Sequence, residues 1–391
     1  MSASFVVMMV ISIYQYSWFL FAFTLHKQYN WVLSTIGLTF TIFTYAATFI
    51  QPFSGYVADS YDPRKVAITA SFLVGSGMLL ASTAESPGML YLYYGIGGIG
   101  VGILYGLSAA CAVKWFPDRR GFATGLVVFG FGAGTMIFNW FIQQMLQSIG
   151  LDMTFVYLGI GMLVILVPLS LLYRYPKEPT PGDKPPERRW DASRSDYTPM
   201  EMIKTPQWFL IYFSFTFTVS VVLIFGAQMK MMADEFGLPK GYFNLLLVLF
   251  PLGNGLSRVF AGAISDKFGR EKTMVVFYSL LALSIFSFVF FARVPLFFVA
   301  IVFVAALLGG APFALYPATI GDYYGSKYST TNYGITYTAK AFAGLISGWL
   351  SGYLVMQFGS YTPTLVFVAC CSLLAAVISM PMILKAPRRK G

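Results

Sequence analysis

Apolar residues in this chain run in long, nearly unbroken stretches, not in the spaced stripes of a helix on a soluble surface. A helix needs about 20 apolar residues to cross a bilayer core. Twelve stretches meet that length, at about 2–25, 34–57, 66–84, 89–114, 121–148, 151–173, 206–233, 240–264, 272–292, 295–318, 332–357 and 362–385. The one long polar segment, 174–205, is rich in proline and mixed charge and reads as a linker. The pattern therefore predicts an all-α membrane protein of twelve transmembrane helices. It divides into an N-terminal six-helix bundle at 1–173, the linker, and a C-terminal six-helix bundle at 206–391.

A short motif occurs twice. Gly55-Tyr-Val-Ala-Asp59 runs on to Arg64 and Lys65 between the second and third stretches, and Gly262-Ala-Ile-Ser-Asp266 runs on to Arg270 and Lys272 between the eighth and ninth. The copies lie 207 residues apart, at the same place in each half. Two copies in register point to a duplicated six-plus-six transporter whose halves are related by a pseudo-twofold axis. The glycine allows two helices to approach closely. The aspartate, at a helix end, can pair with a basic residue of a neighbouring loop, so Asp59, Arg64, Asp266 and Arg270 are candidates for a cytoplasmic gate.

Composition agrees: 57% of residues are hydrophobic and 11% charged, against about 25% charged in a soluble domain. The net charge of +10 is explained by placement and calls for no nucleic acid. With the N-terminus inside, 20 Lys and Arg fall on the inner side, four fall outside and two lie within spans. That split obeys the positive-inside rule and predicts a multi-pass protein of the cell (inner) membrane with both termini cytoplasmic. The chain enters its first apolar stretch without a basic leader, so a trimmed start is expected rather than a cleavable signal. The three cysteines have no metal or disulfide spacing, and no metal or cofactor is expected. Gly95-Ile-Gly97-Gly98-Ile-Gly100 matches a nucleotide-loop pattern, but it lies in an apolar stretch. Gly98, Gly102 and Gly106 share one face there, which suits helix packing. His26, the single histidine, falls near an outer helix end as an interfacial residue. No catalytic set is visible, so an enzyme is not expected.

The two in-span cations are Arg258 and Lys340. A charge at that depth costs several kcal/mol, so such residues face a polar cavity and mark a pathway. Two cations with no acid nearby ask for an anion, and a small carboxylate is the leading candidate cargo. From the predicted inner ends, Arg258 lies about 9 Å deep and Lys340 about 12 Å, so the two could share one anion. Helical spacing puts Asn254 on the face of Arg258, and Thr336 and Tyr337 on that of Lys340. Tyr105 reaches similar depth, and Phe131, Phe313 and Tyr316 are aromatic candidates for the same cavity. Gly309-Gly310-Ala311 would leave one wall small, making room for a methyl group and favouring a lactate-like acid over flat oxalate.

Lys114-Trp-Phe-Pro-Asp118-Arg119-Arg120-Gly121-Phe-Ala-Thr-Gly125 leads into the fifth stretch. With the repeated motif, it resembles the major facilitator superfamily over essentially the whole chain, and within it the monocarboxylate transporters and oxalate:formate antiporters. Gln15 and Tyr16 in the first span, Tyr105 in the fourth, Asn254 and Arg258 in the eighth and Lys340 in the eleventh are similar to that group. The resemblance implies the major facilitator fold. It also implies substrate binding by Arg258 and Lys340, with Tyr105, Asn254, Tyr16 and Gln15 around them and Phe131, Phe313 and Tyr316 kept as aromatic candidates, and it adds Arg119 and Arg120 to the gate. The chain departs from animal monocarboxylate transporters, which carry an acid at the position of Asn254 and another in the first span.

The leading expectation is proton-coupled symport of a monocarboxylate such as L-lactate or pyruvate by alternating access, with Arg258 and Lys340 also serving proton coupling. If Lys340 gives up its proton when the carrier is empty, the empty carrier can return, and proton and anion bind together. The alternative is anion exchange of the oxalate:formate type, which follows if both cations stay charged. The expected partners are the anion, a proton and the lipid bilayer, with the protein working as a monomer. A channel, a transceptor and an exporter of neutral compounds are the remaining rivals.

Overall fold

The computed structural model describes residues 1–31, 33–176 and 196–387, so linker positions 177–195 and the last four residues lie outside the described residues. Every long element is a helix, and no strand occurs among the described residues. In chain order these are α1 (Ser2–Tyr29), α2 (Leu33–Ser60), α3 (Pro63–Ala81), α4 (Pro87–Trp115), α5 (Arg120–Ser148), α6 (Gly150–Ser170), α7 (Pro206–Glu235), α8 (Lys240–Phe268), α9 (Arg270–Phe291), α10 (Pro295–Tyr324), α11 (Ser329–Phe358) and α12 (Thr362–Ile378). Eleven are long and apolar enough to cross a membrane, and α12 is a shorter apolar helix. The predicted final span, 362–385, overruns this helix: the ladder stops at Ile378 and turns follow, ahead of and around Pro381.

Three helices are interrupted. The α1 ladder breaks at Ser17. In α10 a break at Gly310-Ala311 precedes Pro312, whose ring lacks the N–H that an unbroken ladder needs. In α11 the pieces are Ser329–Tyr337, Ala339–Leu345, a π-turn at Ile346–Leu350, and Ser351–Phe358. The end of the predicted linker is built and packed: Thr198 and Glu201 form a capping box on the single-turn helix Pro199–Met202, and the Tyr197 N–H donates to the Tyr324 carbonyl.

The described parts of the chain form two compact units. One comprises Met1–Trp115, Val127–Pro185 and Lys327–Tyr337; the other comprises Phe116–Leu126, Pro186–Ser326 and Thr338–Gly391. In the first unit α4 packs on α2 through the predicted glycine face. A Cβ on Gly98 would stand 2.8 Å from the Phe43 carbonyl oxygen, and one on Gly102 would stand 2.1 Å from that of Ala47. The second unit has an aromatic and aliphatic core in which Phe225, Phe288, Phe298 and Leu365 are fully or almost fully buried.

Candidate functional site

Arg258 lies ten residues from the end of α8, about 15 Å at helical rise. Lys340 lies eleven residues into α11, about 16 Å. Both are deeper than their predicted span ends imply, because α8 runs on to Gly269, which closes it at φ 98°, and α11 starts at Ser329. With about 30 Å of hydrocarbon to cross, both sit near mid-depth of their helices.

Arg258 is 2% exposed. Its Nη2 donates to Asn254 Oδ1 at 2.9 Å, and the guanidinium lies 4.9 Å from the Phe313 ring centroid. A guanidinium only donates, so the Asn254 amide must turn its oxygen toward Arg258. Two glycines grip this part of α8. A Cβ on Gly310 would stand 2.2 Å from the Asn254 carbonyl oxygen, and one on Gly125 would stand 2.1 Å from that of Arg258. Gly309 faces a side chain instead, with Val222 Cγ2 at 2.4 Å from its Cβ position. Gly125 and Gly310 therefore bring helices together, and the expected room for a methyl group is not there at Gly310. Gly125 belongs to the sequence motif, yet its grip on the Arg258 backbone shows only in three dimensions.

Lys340 is 8% exposed, and Arg258 is close enough for the two charges to repel. Thr336 Oγ1 donates back to the Asn332 carbonyl, and the Tyr337 ring packs on Tyr105 at 5.1 Å. Tyr316 is fully buried, with its hydroxyl donating to Ser214 Oγ at 2.7 Å and its ring on Phe215. In the first unit the structure joins Tyr16, Phe131, Tyr105 and Tyr337 into one aromatic row, with centroid spacings of 5.3, 5.4 and 5.1 Å. Gln15, half-buried, precedes Tyr16 next to the α1 break.

The repeated aspartates do equivalent work. Asp59 accepts the Thr331 N–H at 2.8 Å and its hydroxyl at 2.7 Å, in the first turn of α11. Asp266 accepts the N–H groups of Gly121 and Phe122 at 2.9 and 2.7 Å, in the first turn of α5. Each carboxylate thus caps a helix N-terminus, where free N–H groups and the helix dipole favour an anion. The motif glycines permit it: a Cβ on Gly55 would meet the Thr330 backbone at 2.8 Å, and one on Gly262 the Gly121 carbonyl oxygen at 2.1 Å.

The cationic partners differ between copies. Asp59 pairs with Lys114 at 2.7 Å, whose Nζ also lies 3.8 Å from the centre of the Tyr175 ring. Burial, and then the nearby Asp59 carboxylate, push the Tyr175 phenol well above its usual value. Asp266 pairs with Arg270 at 2.6 Å, and Asp322 bridges Arg270 and Arg120 at 2.7 and 2.8 Å. Lys114, Thr331 and Asp322 were not among the expected gate residues. Arg64 lies instead 3.7 Å from Asp62, half-exposed, and Arg119 is exposed.

The family model described as Major Facilitator Superfamily matches residues 1–229 and 222–391. The chain is 31% identical to the oxalate:formate antiporter of Oxalobacter formigenes over 360 residues, 92% of this chain and 85% of that protein. It is 34% identical to monocarboxylate transporter 9 of Gallus gallus over 122 residues, which are 31% of this chain and 22% of that one. Among solved structures, the transporter FucP in the outward conformation aligns with a TM-score of 0.74 at 13% identity, covering 97% of each chain. The human organic anion transporter MFSD10 aligns with a TM-score of 0.73, also at 13% identity, covering 97% of this chain and 98% of that one. At that identity the structural likeness speaks for the fold alone.

Proposed function

The chain belongs to the Major Facilitator Superfamily, as a multi-pass membrane transporter and not an enzyme, and from that premise we propose that it exchanges small carboxylates by alternating access. The observation that carries this reading is Arg258, buried at mid-depth in α8, held by Asn254 and Phe313, with Lys340 near enough to feel its charge. Two fixed cations in low dielectric are costly to leave uncompensated. An empty carrier would have to move both charges bare, so it reorients only when an anion neutralises them. A small dianion, or its equivalent in monoanions, fits that charge best. The 31% identity to an oxalate:formate antiporter across most of both chains supports exchange, whereas the likeness to monocarboxylate transporter 9 covers under a third of the chain.

One feature favours a second reading, proton-coupled symport of a monocarboxylate such as L-lactate or pyruvate. Lysine, unlike arginine, can give up its proton, so Lys340 could carry one with the anion. In either case Tyr105, Tyr16 and Phe131, joined with Tyr337 in the first unit, are also proposed as substrate-binding residues, as is Gln15. The two aspartate-capped helix starts, with Lys114, Arg120, Arg270 and Asp322, are proposed as the cytoplasmic gate that opens as the carrier cycles. The carrier is read as a monomer in the cell membrane with both termini cytoplasmic, following the 20-to-4 distribution of basic residues.

The test is uptake of labelled oxalate, formate and L-lactate into proteoliposomes that are empty, preloaded with oxalate, or energised by an inward proton gradient. Exchange predicts uptake only into preloaded vesicles. Gradient-driven accumulation of L-lactate in empty vesicles would establish symport instead. No uptake of any acid under any condition would refute both.

A further inference from the structure

Lys340 sits on a seven-residue piece of helix, Ala339–Leu345, that is irregular at both ends. At its start the ladder tightens, with the Ala341 N–H donating three residues back to the Thr338 carbonyl at 2.9 Å. At its end the ladder loosens. The Ser351 N–H is shared between the carbonyls of Gly348 and, five residues back, Ile346, so the Ser347 carbonyl between them loses its usual partner. Both irregular turns are held by side chains of α7. The hydroxyls of Tyr212 and Thr338 are 2.9 Å apart, and Gln228 Nε2 donates to the Ser347 carbonyl at 2.6 Å while its Oε1 accepts the Ser351 hydroxyl at 2.9 Å.

We infer that Tyr212 and Gln228 are positioning residues that set the rotation and depth of Lys340. An over-wound turn below and an under-wound turn above let the short piece rotate without breaking the rest of α11. A π-turn is stable only where the carbonyl it strands finds a donor, because an unpaired buried carbonyl is costly. Gln228 is that donor, so it stabilises the register in which Lys340 faces the charge of Arg258. Ser351 adds a bond to the amide oxygen, but the carbonyl is held without it. This inference rests on the reading that Lys340 binds the anion.

The experiment compares Gln228→Leu, Tyr212→Phe and Ser351→Ala with the unmodified protein in detergent. Hydrogen exchange of residues 339–350 is followed by mass spectrometry in the empty carrier, oxalate affinity is titrated, and the melting temperature is recorded. Gln228→Leu should speed exchange in that segment and raise the oxalate Kd about tenfold while the melting temperature barely moves. Tyr212→Phe should do the same to a lesser degree, and Ser351→Ala, which keeps the Gln228 donor, should stay within about twofold of the unmodified Kd. Unchanged exchange in Gln228→Leu would overturn the clasp. Faster exchange with unchanged oxalate affinity would overturn the positioning role, and so would a loss in Ser351→Ala equal to that in Gln228→Leu. If the unmodified protein binds no oxalate, formate or lactate yet exchange still rises in Gln228→Leu, the carboxylate reading fails and the clasp stands.

Discussion

Gly310→Ala separates two accounts of the small residues in α10. A Cβ at this position would stand 2.2 Å from the Asn254 carbonyl oxygen and 2.9 Å from Ser257 Cβ. Ordinary contact begins near 3.4 Å, so α8 and α10 must separate by about 1.2 Å, and the Asn254 oxygen belongs to backbone that cannot rotate away. Overpacking of this kind costs about 1–3 kcal/mol of stability. Function should suffer more, because the displaced carbonyl belongs to Asn254, four residues from Arg258. A shift of about 1 Å at a binding constellation costs up to ~100-fold in activity. Transport of formate, oxalate and L-lactate in proteoliposomes should therefore fall together, by roughly 10- to 100-fold, with similar selectivity. If formate and oxalate transport survived and only L-lactate transport fell, Gly310 would be lining the cargo space, and the packing account would be wrong.

Other outcomes follow from the same geometry. Arg258→Gln should abolish carboxylate transport while leaving a folded protein by size-exclusion chromatography; transport surviving at near-normal rate would remove Arg258 from the site. Phe313→Leu should be milder, since a cation over a ring contributes about 0.5–2 kcal/mol, and a loss in affinity of some 2- to 30-fold is expected by titration. The Tyr175 phenol is held above its usual value, so its neutral form is favoured in the fold. Its contribution is complete below the unfolded value near pH 10 and is lost as pH rises beyond it, because the unfolded chain ionises first. The melting temperature should therefore decline above about pH 10, and less steeply in Tyr175→Phe; identical slopes would refute the assignment.

Some of this was legible in the sequence because it is loud there. Arg258 and Lys340 stand out against apolar neighbours, and the duplicated Gly-x-x-x-Asp motif marks the repeat without any alignment. Contact partners were not legible. Nothing local to Asp59 reveals that its cation is Lys114, 55 residues and two helices further along the chain, in place of the adjacent Arg64. Gly310 was misread because sequence shows that a side chain is missing but not what fills the space. The irregular turns of α11 carry no proline, so nothing in the sequence marked them. The end of α12 was overrun because Met380, Met382, Ile383 and Leu384 are apolar although the chain there is turning.

The repeat also predicts where symmetry fails. Asp59 and Asp266 occupy matching positions and cap matching helix starts, so equal sensitivity to Asp→Asn would be the simple expectation. Their cations argue otherwise. With Asp266 neutralised, Arg270 still has Asp322 on its Nε at 2.7 Å. With Asp59 neutralised, Lys114, whose side chain is 7% exposed, keeps among the described residues the Lys327 carbonyl at 3.1 Å and the Tyr175 face, neither of them a carboxylate. A buried cation stripped of its carboxylate costs about 3–5 kcal/mol. Asp59→Asn should thus lower the melting temperature clearly more than Asp266→Asn. Replacing the stranded cation in the double variant Asp59→Asn with Lys114→Met should recover part of the loss, as a double-mutant cycle measures. Equal losses for the two single variants, or a double variant no better than Asp59→Asn alone, would show that the caps and not the cations carry the energy, and the two halves would then be equivalent at their inner ends after all.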